Sequence, residues 1–258
     1  MITAIKYLAI ACFIIALILL TISLVFYWLR SPSHERQWGI GQEKLPSVEL
    51  TKGSVRVQNF RDYDWLSQPV KEQYKSLDFD LAQIESVSVG VSHFSKLENI
   101  AHVFIVFGLK DHEDIALSVE ARRSDGEEYT ITGGLTFSFD LAYFLASTHD
   151  LLSVRKQRNE RVYIYKTVAD EATSQKFFVK IAERINALHK KPEFYHILFK
   201  NCASQVIDEI EKITEVKFPF FAKTFSPGSS GKVLFEMGLI DTVEKDFGYV
   251  KAQALVDK

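Results

Sequence analysis

An α+β domain with an antiparallel sheet, carried behind one N-terminal transmembrane helix, is the fold class this sequence predicts, and three observations predict it. Residues 7–29 contain no charge, no proline and no glycine, and at about 1.5 Å rise per residue such a run crosses a hydrocarbon core as a helix. A run of period two at residues 84–91 and two β-rich runs at 101–108 and 115–122 follow, the signatures of strands. Helical spacing then takes over at residues 173–189 and again from Cys202. The chain therefore divides into an anchor at 1–30, a linker at 31–50 and a soluble domain at 51–258.

The first element reads as an anchor rather than a cleaved leader. A leader has an apolar region of about 7–15 residues ending in small side chains, whereas this run is longer and ends in Phe26, Tyr27 and Trp28, aromatics suited to a membrane interface. Lys6 stands on one side and Arg30, Arg36 and Lys44 on the other, so a bare charge count would leave the domain cytoplasmic. The linker is polar, with Pro32, Gly39, Gly41 and Pro46, and Trp38 in it is expected to meet the interface. Of the two cysteines, Cys12 falls in the apolar run and Cys202 in the domain, which leaves no intramolecular disulfide. A formal net charge of −2 argues against a nucleic-acid surface.

Residues 54–60 alternate as a short strand, residues 69–77 read as a polar, turn-rich passage, and residues 84–91 form the next strand. Residues 101–108 and 115–122 make a hairpin about the charged loop at 109–114. Centred near Asp111, it sets His102 opposite Glu120. Such pairs share a face with Cβ atoms about 5 Å apart, close enough for a carboxylate to hold an imidazole in one tautomer. A purely structural pairing of Glu120 with Arg61, Arg122 or Arg123 fits the same pattern. Gly133 and Gly134 mark a turn, residues 137–145 a short helix or strand, and residues 161–165 a strand. Phe177, Phe178, Ile181, Ile185 and Leu188 form a core stripe on a helix ended by Pro192.

Asn201 then precedes Cys202, with Val206, Ile207 and Ile210 on one face of the helix that follows. Asn is a favoured N-cap, and amide N–H groups at a helix start favour negative charge. A cysteine placed there is expected to have a lowered pKa and to be nucleophilic; the alternative is a small buried core residue. No metal-ligand spacing, phosphate-binding loop or dinucleotide fingerprint occurs, and no cofactor is expected.

A histidine on one strand, an acid on the next and a later cysteine opening a helix resemble the circularly permuted papain-like fold. Asn59-Phe60-Arg61, Ala101-His102, Glu120 with Arg122 and Arg123, Pro192-Glu193-Phe194-Tyr195, Asn201-Cys202 and Pro227-Gly228 more closely resemble the N-terminal domain of the Lnb-type lipoprotein N-acyltransferases, over roughly residues 54–241. The resemblance implies a periplasmic domain anchored in the inner membrane, against the charge count. It also implies transfer of a fatty acyl chain to a lipidated N-terminal cysteine, with membrane lipids and lipoprotein N-termini as partners. Described acyltransferases carry further membrane segments after this domain, while residues 241–258 here are charged; an integral-membrane partner or another acyl or amide substrate is then implied.

On this reading Cys202 is the nucleophile, His102 its base and Glu120 the orienting acid. Asn201 and the Cys202 N–H would meet an oxyanion, and Tyr195, Arg122 and Arg61 would shape the substrate pocket. A thiol acyltransferase, a cysteine peptidase or amidase, and a non-catalytic envelope protein are the three classes that follow.

Overall fold

The computed structural model describes residues 2–224 and 226–256. A 28-residue helix, α1 (Ile2–Leu29), leads into an α+β domain. Eight strands form one mixed sheet: β1 (Ser47–Thr51), β2 (Ser54–Arg61), β3 (Tyr74–Asp80), β4 (Ile84–His93), β5 (His102–Leu109), β6 (Ile115–Arg122), β7 (Asp140–Ser147) and β8 (Arg161–Lys166). The order is β1-β2-β7-β6-β5-β4-β8, with β3 also paired to β2. Every pairing is antiparallel except the short β2–β7 contact through Arg61 and Ala146. The helices are α2 (Ile131–Leu135), α3 (Thr148–Gln157), α4 (Glu171–Lys190), α5 (Cys202–Ile213), α6 (Phe220–Thr224), α7 (Ser230–Glu236) and α8 (Phe247–Gln253).

Strand alternation gives the central sheet two different faces. Val103, Ile105 and Phe107 of β5 enter the main core with Phe177, Phe178 and Ile181 of α4 and Val206 of α5. Phe104 and Val106 point the other way, toward Leu151 of α3. Phe104 can lie flat there because its cross-strand partner is Gly90; a Cβ on Gly90 would stand 2.0 Å from that ring.

Several expectations need correction. Residues 69–77 are not simply a turn-rich passage, because Tyr74 opens β3; its alternation of Leu77 and Phe79 is masked by lysine, serine and aspartate. Of the helix or strand expected at residues 137–145 the structure has the strand, from Asp140 onward, whereas the glycine turn at 133–134 is a short helix capped by Thr130. The linker packs on the domain: Trp38 and Gln42 are buried and Ser47–Thr51 is β1. Trp38 does not reach outward, since its indole N–H donates to the His34 carbonyl and Arg122 lies 3.9 Å over its ring.

The C-terminal end of α1 also touches the domain. Ser23 Oγ donates to the Leu135 carbonyl at 2.7 Å, and Tyr27 packs edge-on against Phe137 and Phe194. Its segment from Ile5 to Leu29 is long and apolar enough to cross a membrane.

Candidate active-site cleft

The start of β5, the end of β6 and the start of α5 converge on a cleft of about 640 Å³ lined by His102, Glu120, Tyr195, Asn201 and Cys202. The hairpin register accounts for the first pair. Phe104 faces Ser118 and Ile105 faces Leu117, so the same register carried outward sets His102 against Glu120. The two side chains do not bond directly. His102 Nε2 lies 2.8 Å from Ser118 Oγ, and Ser118 Oγ donates to Glu120 Oε1 at 2.8 Å. A hydroxyl has one proton, and an ionised carboxylate only accepts. The network therefore assigns the His102 proton to Nε2, which leaves Nδ1 as the basic nitrogen. Gln42 Nε2 donates to the other Glu120 oxygen at 3.0 Å.

Electrostatics keep this pair in a definite state. Burial disfavours a charged Glu120, but Arg61, His102, Arg155 and the Ser118 hydroxyl together hold it down to about 2. Burial and the nearby Arg155 press His102 down to about 3, against the attraction of Glu120. Cys202 is buried at 6% exposure, and burial raises its thiol pKa even though the Val103, Ala203 and Cys202 amides and Arg155 act the other way. The sequence expectation of a lowered thiol pKa is thus overturned: desolvation outweighs the helix start. The resting cleft holds a neutral thiol and a neutral imidazole.

Asn201 is the N-cap of α5, its Oδ1 accepting from Ala203 and Ser204 N–H at 2.9 and 2.8 Å. Its amide nitrogen donates to the Ile197 and Lys223 carbonyls, so the side chain is committed to holding the helix start and the Cys202 N–H is the better oxyanion donor. Tyr195 is buried and pushed well above its ordinary pKa, chiefly by burial, with the neighbouring Cys202 and Tyr129 adding to the shift. Arg61 lines the cleft but is held by Asp150, with Nη2 2.8 Å from Oδ1 and Nη1 donating to the Gly41 carbonyl. A bulge between Val57 and Phe60, with Asn59 at φ 53°, turns the end of β2 so that Arg61 points inward. Arg122 is not brought to the cleft; it donates to the Gln42 and Glu43 carbonyls and stacks on Trp38.

Three residues in or behind the cleft escaped the sequence reading in these roles. Ser118 stands two residues before Glu120 on a strand, and alternation alone could have placed it on the same face. Gln42 lies in the stretch read as linker. Arg155 of α3 is 5% exposed; it lies 5.1 Å over the Phe104 ring, Nη1 donates to the Leu151 carbonyl, and Nε has no hydrogen-bond partner among the described residues. The Pro227-Gly228 turn closes one wall. A Cβ on Gly228 would stand 1.8 Å from the Glu98 carbonyl oxygen, so only glycine permits this approach to the loop that carries Asn99 and Ile100 into the cleft.

Fold and site together define an α+β domain with a cysteine and a histidine in one cleft, borne on a chain with an apolar N-terminal helix. The family profile described as the Lnb N-terminal periplasmic domain matches residues 71–226, more than half of the chain, and the protein belongs to that family. The matched span contains His102, Ser118, Glu120, Arg155 and Cys202. No curated protein and no solved structure matches. Family and helix together fit an envelope-associated, single-pass membrane protein with a periplasmic domain.

Proposed function

We propose that this protein is a cysteine-dependent acyltransferase of the inner membrane, with a permuted papain-like arrangement of base and nucleophile. It moves a fatty acyl chain from a membrane lipid, through a thioester on Cys202, to the N-terminus of a lipidated protein. The observation that carries this reading is the His102–Ser118–Glu120 chain ending in the cleft that holds Cys202. A tether fixes the domain beside its substrates, and the cleft fits that setting. Ile40, Phe94 and Ile131 line it while exposed, and Ile131 belongs to α2, the helix whose Leu135 meets Ser23 of α1.

In the first step the Cys202 S–H proton passes to His102 Nδ1 as sulfur attacks the ester carbonyl carbon. The oxygen that becomes negative is met by the Cys202 N–H. The ester C–O bond breaks, the departing alkoxide takes the proton from His102, and a thioester remains. An amine then attacks the thioester and His102 removes its proton. The C–S bond breaks, and sulfur recovers the proton as an amide forms. Because thiol and imidazole both rest neutral, proton transfer accompanies attack instead of preceding it. Ser118 and Glu120 fix the tautomer and stabilise the transient imidazolium.

The test is the product. Full-length protein in phospholipid vesicles with a labelled acyl donor and a diacylated lipoprotein peptide should yield N-acyl peptide, and Cys202→Ala should yield none. Release of free fatty acid alone would mark a cysteine hydrolase. N-acylation that persists in Cys202→Ala would overturn the assignment.

A further inference from the structure

Beneath α5, on the opposite face of the sheet from Phe104 and Arg155, lies a second cavity of about 200 Å³ with an almost wholly hydrocarbon wall. It is open on one side, where Val168 is exposed, so it is an apolar groove in the flank of the main core and not a sealed void. Apolar surface left unfilled in this way forgoes dispersion contacts, and a concave site walled almost wholly by hydrocarbon fits an apolar ligand.

Its position says which. Ala203, Val206, Ile207, Ile210 and Thr214 line it, a single stripe running from the first turn of α5 to its C-cap. The eleven rises from Ala203 to Thr214, at 1.5 Å each, make about 17 Å, close to half of the roughly 30 Å hydrocarbon core of a bilayer, which is the length of one acyl chain in its leaflet. The near end abuts the cleft. His102 and Cys202 line the cleft while their neighbours Val103 and Ala203 line the cavity; Thr224 and Pro227 line the cleft while Ala222 and Ser230 line the cavity. The cleft itself is mixed: Ile40, Phe94 and Ile131 line it, but so do Arg61, Glu120, Arg155, Arg158 and Glu160, and a hydrocarbon tail placed against the charged part would strip water from those groups.

We infer that this cavity seats the alkyl chain of the acyl group that Cys202 receives, so that the scissile carbonyl stays at the sulfur, the polar remainder of the donor occupies the charged cleft, and the tail runs along α5. This rests on the acyl-transfer reading for its substrate, but its test does not require catalysis.

Full-length Cys202→Ala protein, which forms no thioester, is placed in phosphatidylethanolamine–phosphatidylglycerol vesicles with palmitic acid bearing a terminal diazirine, irradiated and digested. Mass spectrometry should find adducts on peptides from β4, β5 and α5, competed by unlabelled palmitate. Adding Ile207→Trp, which fills the cavity, should lower their yield roughly tenfold, the effect of displacing only one or two buried methylenes. Lys212→Trp, on the exposed side of the same helix, should leave the yield unchanged. Adducts confined to α1 would overturn the inference even if Ile207→Trp fails to fold. An undiminished yield in a folded Ile207→Trp protein would do the same. Loss of cavity labelling with Cys202 still acylated in the wild type would sink the tail seat and spare the nucleophile; the reverse would sink the nucleophile and spare the seat.

Discussion

The two faces of β5 have opposite chemistry, though they are built from alternate residues of one eight-residue strand. One face leads from Phe104 to Arg155 and, at its open end, to His102, Ser118 and Glu120, with the buried Arg61–Asp150 pair beside them. The other meets α4 and α5 through Val103, Ile105 and Phe107, and Val103 and Ile105 also line the hydrocarbon cavity. Period two alone separates a charged compartment from an apolar one by the thickness of a sheet. Cys202 enters from α5 on the apolar side and reaches the cleft at the strand's start. A substrate with a polar reacting end and a long apolar tail meets both compartments there.

The largest expected effect comes from removing the base. His102→Ala should slow thioester formation by about 10²–10⁴-fold, the range for a lost general base, with the melting temperature little changed; stopped-time mass spectrometry of the Cys202 peptide reads the rate. An unchanged rate would detach the charged face from the chemistry.

Next is the ion pair under that face. Asp150 is fully buried and accepts from Arg61 and from the Tyr63 and Trp65 N–H groups. Asp150→Ala strands the Arg61 charge and should lower stability by about 3–5 kcal/mol, measured by urea denaturation. A loss below about 1 kcal/mol, the worth of an exposed pair, would mean that solvent reaches this compartment.

Ser118→Ala removes the link between His102 and Glu120 and should lower stability by about 1.5–3 kcal/mol, as expected for bonds to a charged acceptor. Its effect on thioester formation should match that of Glu120→Gln, smaller than that of His102→Ala and larger than that of Glu113→Gln or Glu127→Gln. If Ser118→Ala and Glu120→Gln alter melting alone, with turnover per folded molecule intact, both residues are structural.

The smallest effect is in pH. His102 is depressed to about 3 in the fold from an ordinary value near 6.5, so the unfolded chain takes up a proton below about pH 6.5 that the native protein refuses. Stability from this group is complete above that pH and is lost as pH falls toward 3. Glu120, held near 2, acts in the same direction below its ordinary range. His102→Gln should therefore flatten the melting-temperature profile between pH 6.5 and 4, and wild-type thioester formation should show no acid limb near 6.5. A limb at 6.5 would place His102 in solvent.

Much of this was legible in the sequence where local rules act alone. Alternation and a loop centred near Asp111 were enough to set His102 against Glu120, and Asn201 marked the start of α5 because a cap is a property of neighbouring residues. What was hidden depends on distant partners. The helix α3 carries Asp150 and Arg155 on its buried side, a pattern that looks solvent-facing until Arg61 and Phe104 are placed against it. Gln42 and Trp38 looked like linker because their partners, Glu120 and Arg122, lie about eighty residues on. The sign of the Cys202 shift was misread for the same reason: a helix start is local, whereas burial of the thiol depends on the whole fold.

Whether Cys202 carries an acyl group is read from the intact mass of the full-length protein after incubation with phospholipid vesicles. The wild-type chain should gain one fatty acyl group, located on the Cys202 peptide, removed by hydroxylamine and formed far more slowly in His102→Ala. A wild-type mass without the acyl group, or an adduct on any other residue, would contradict the thioester on Cys202.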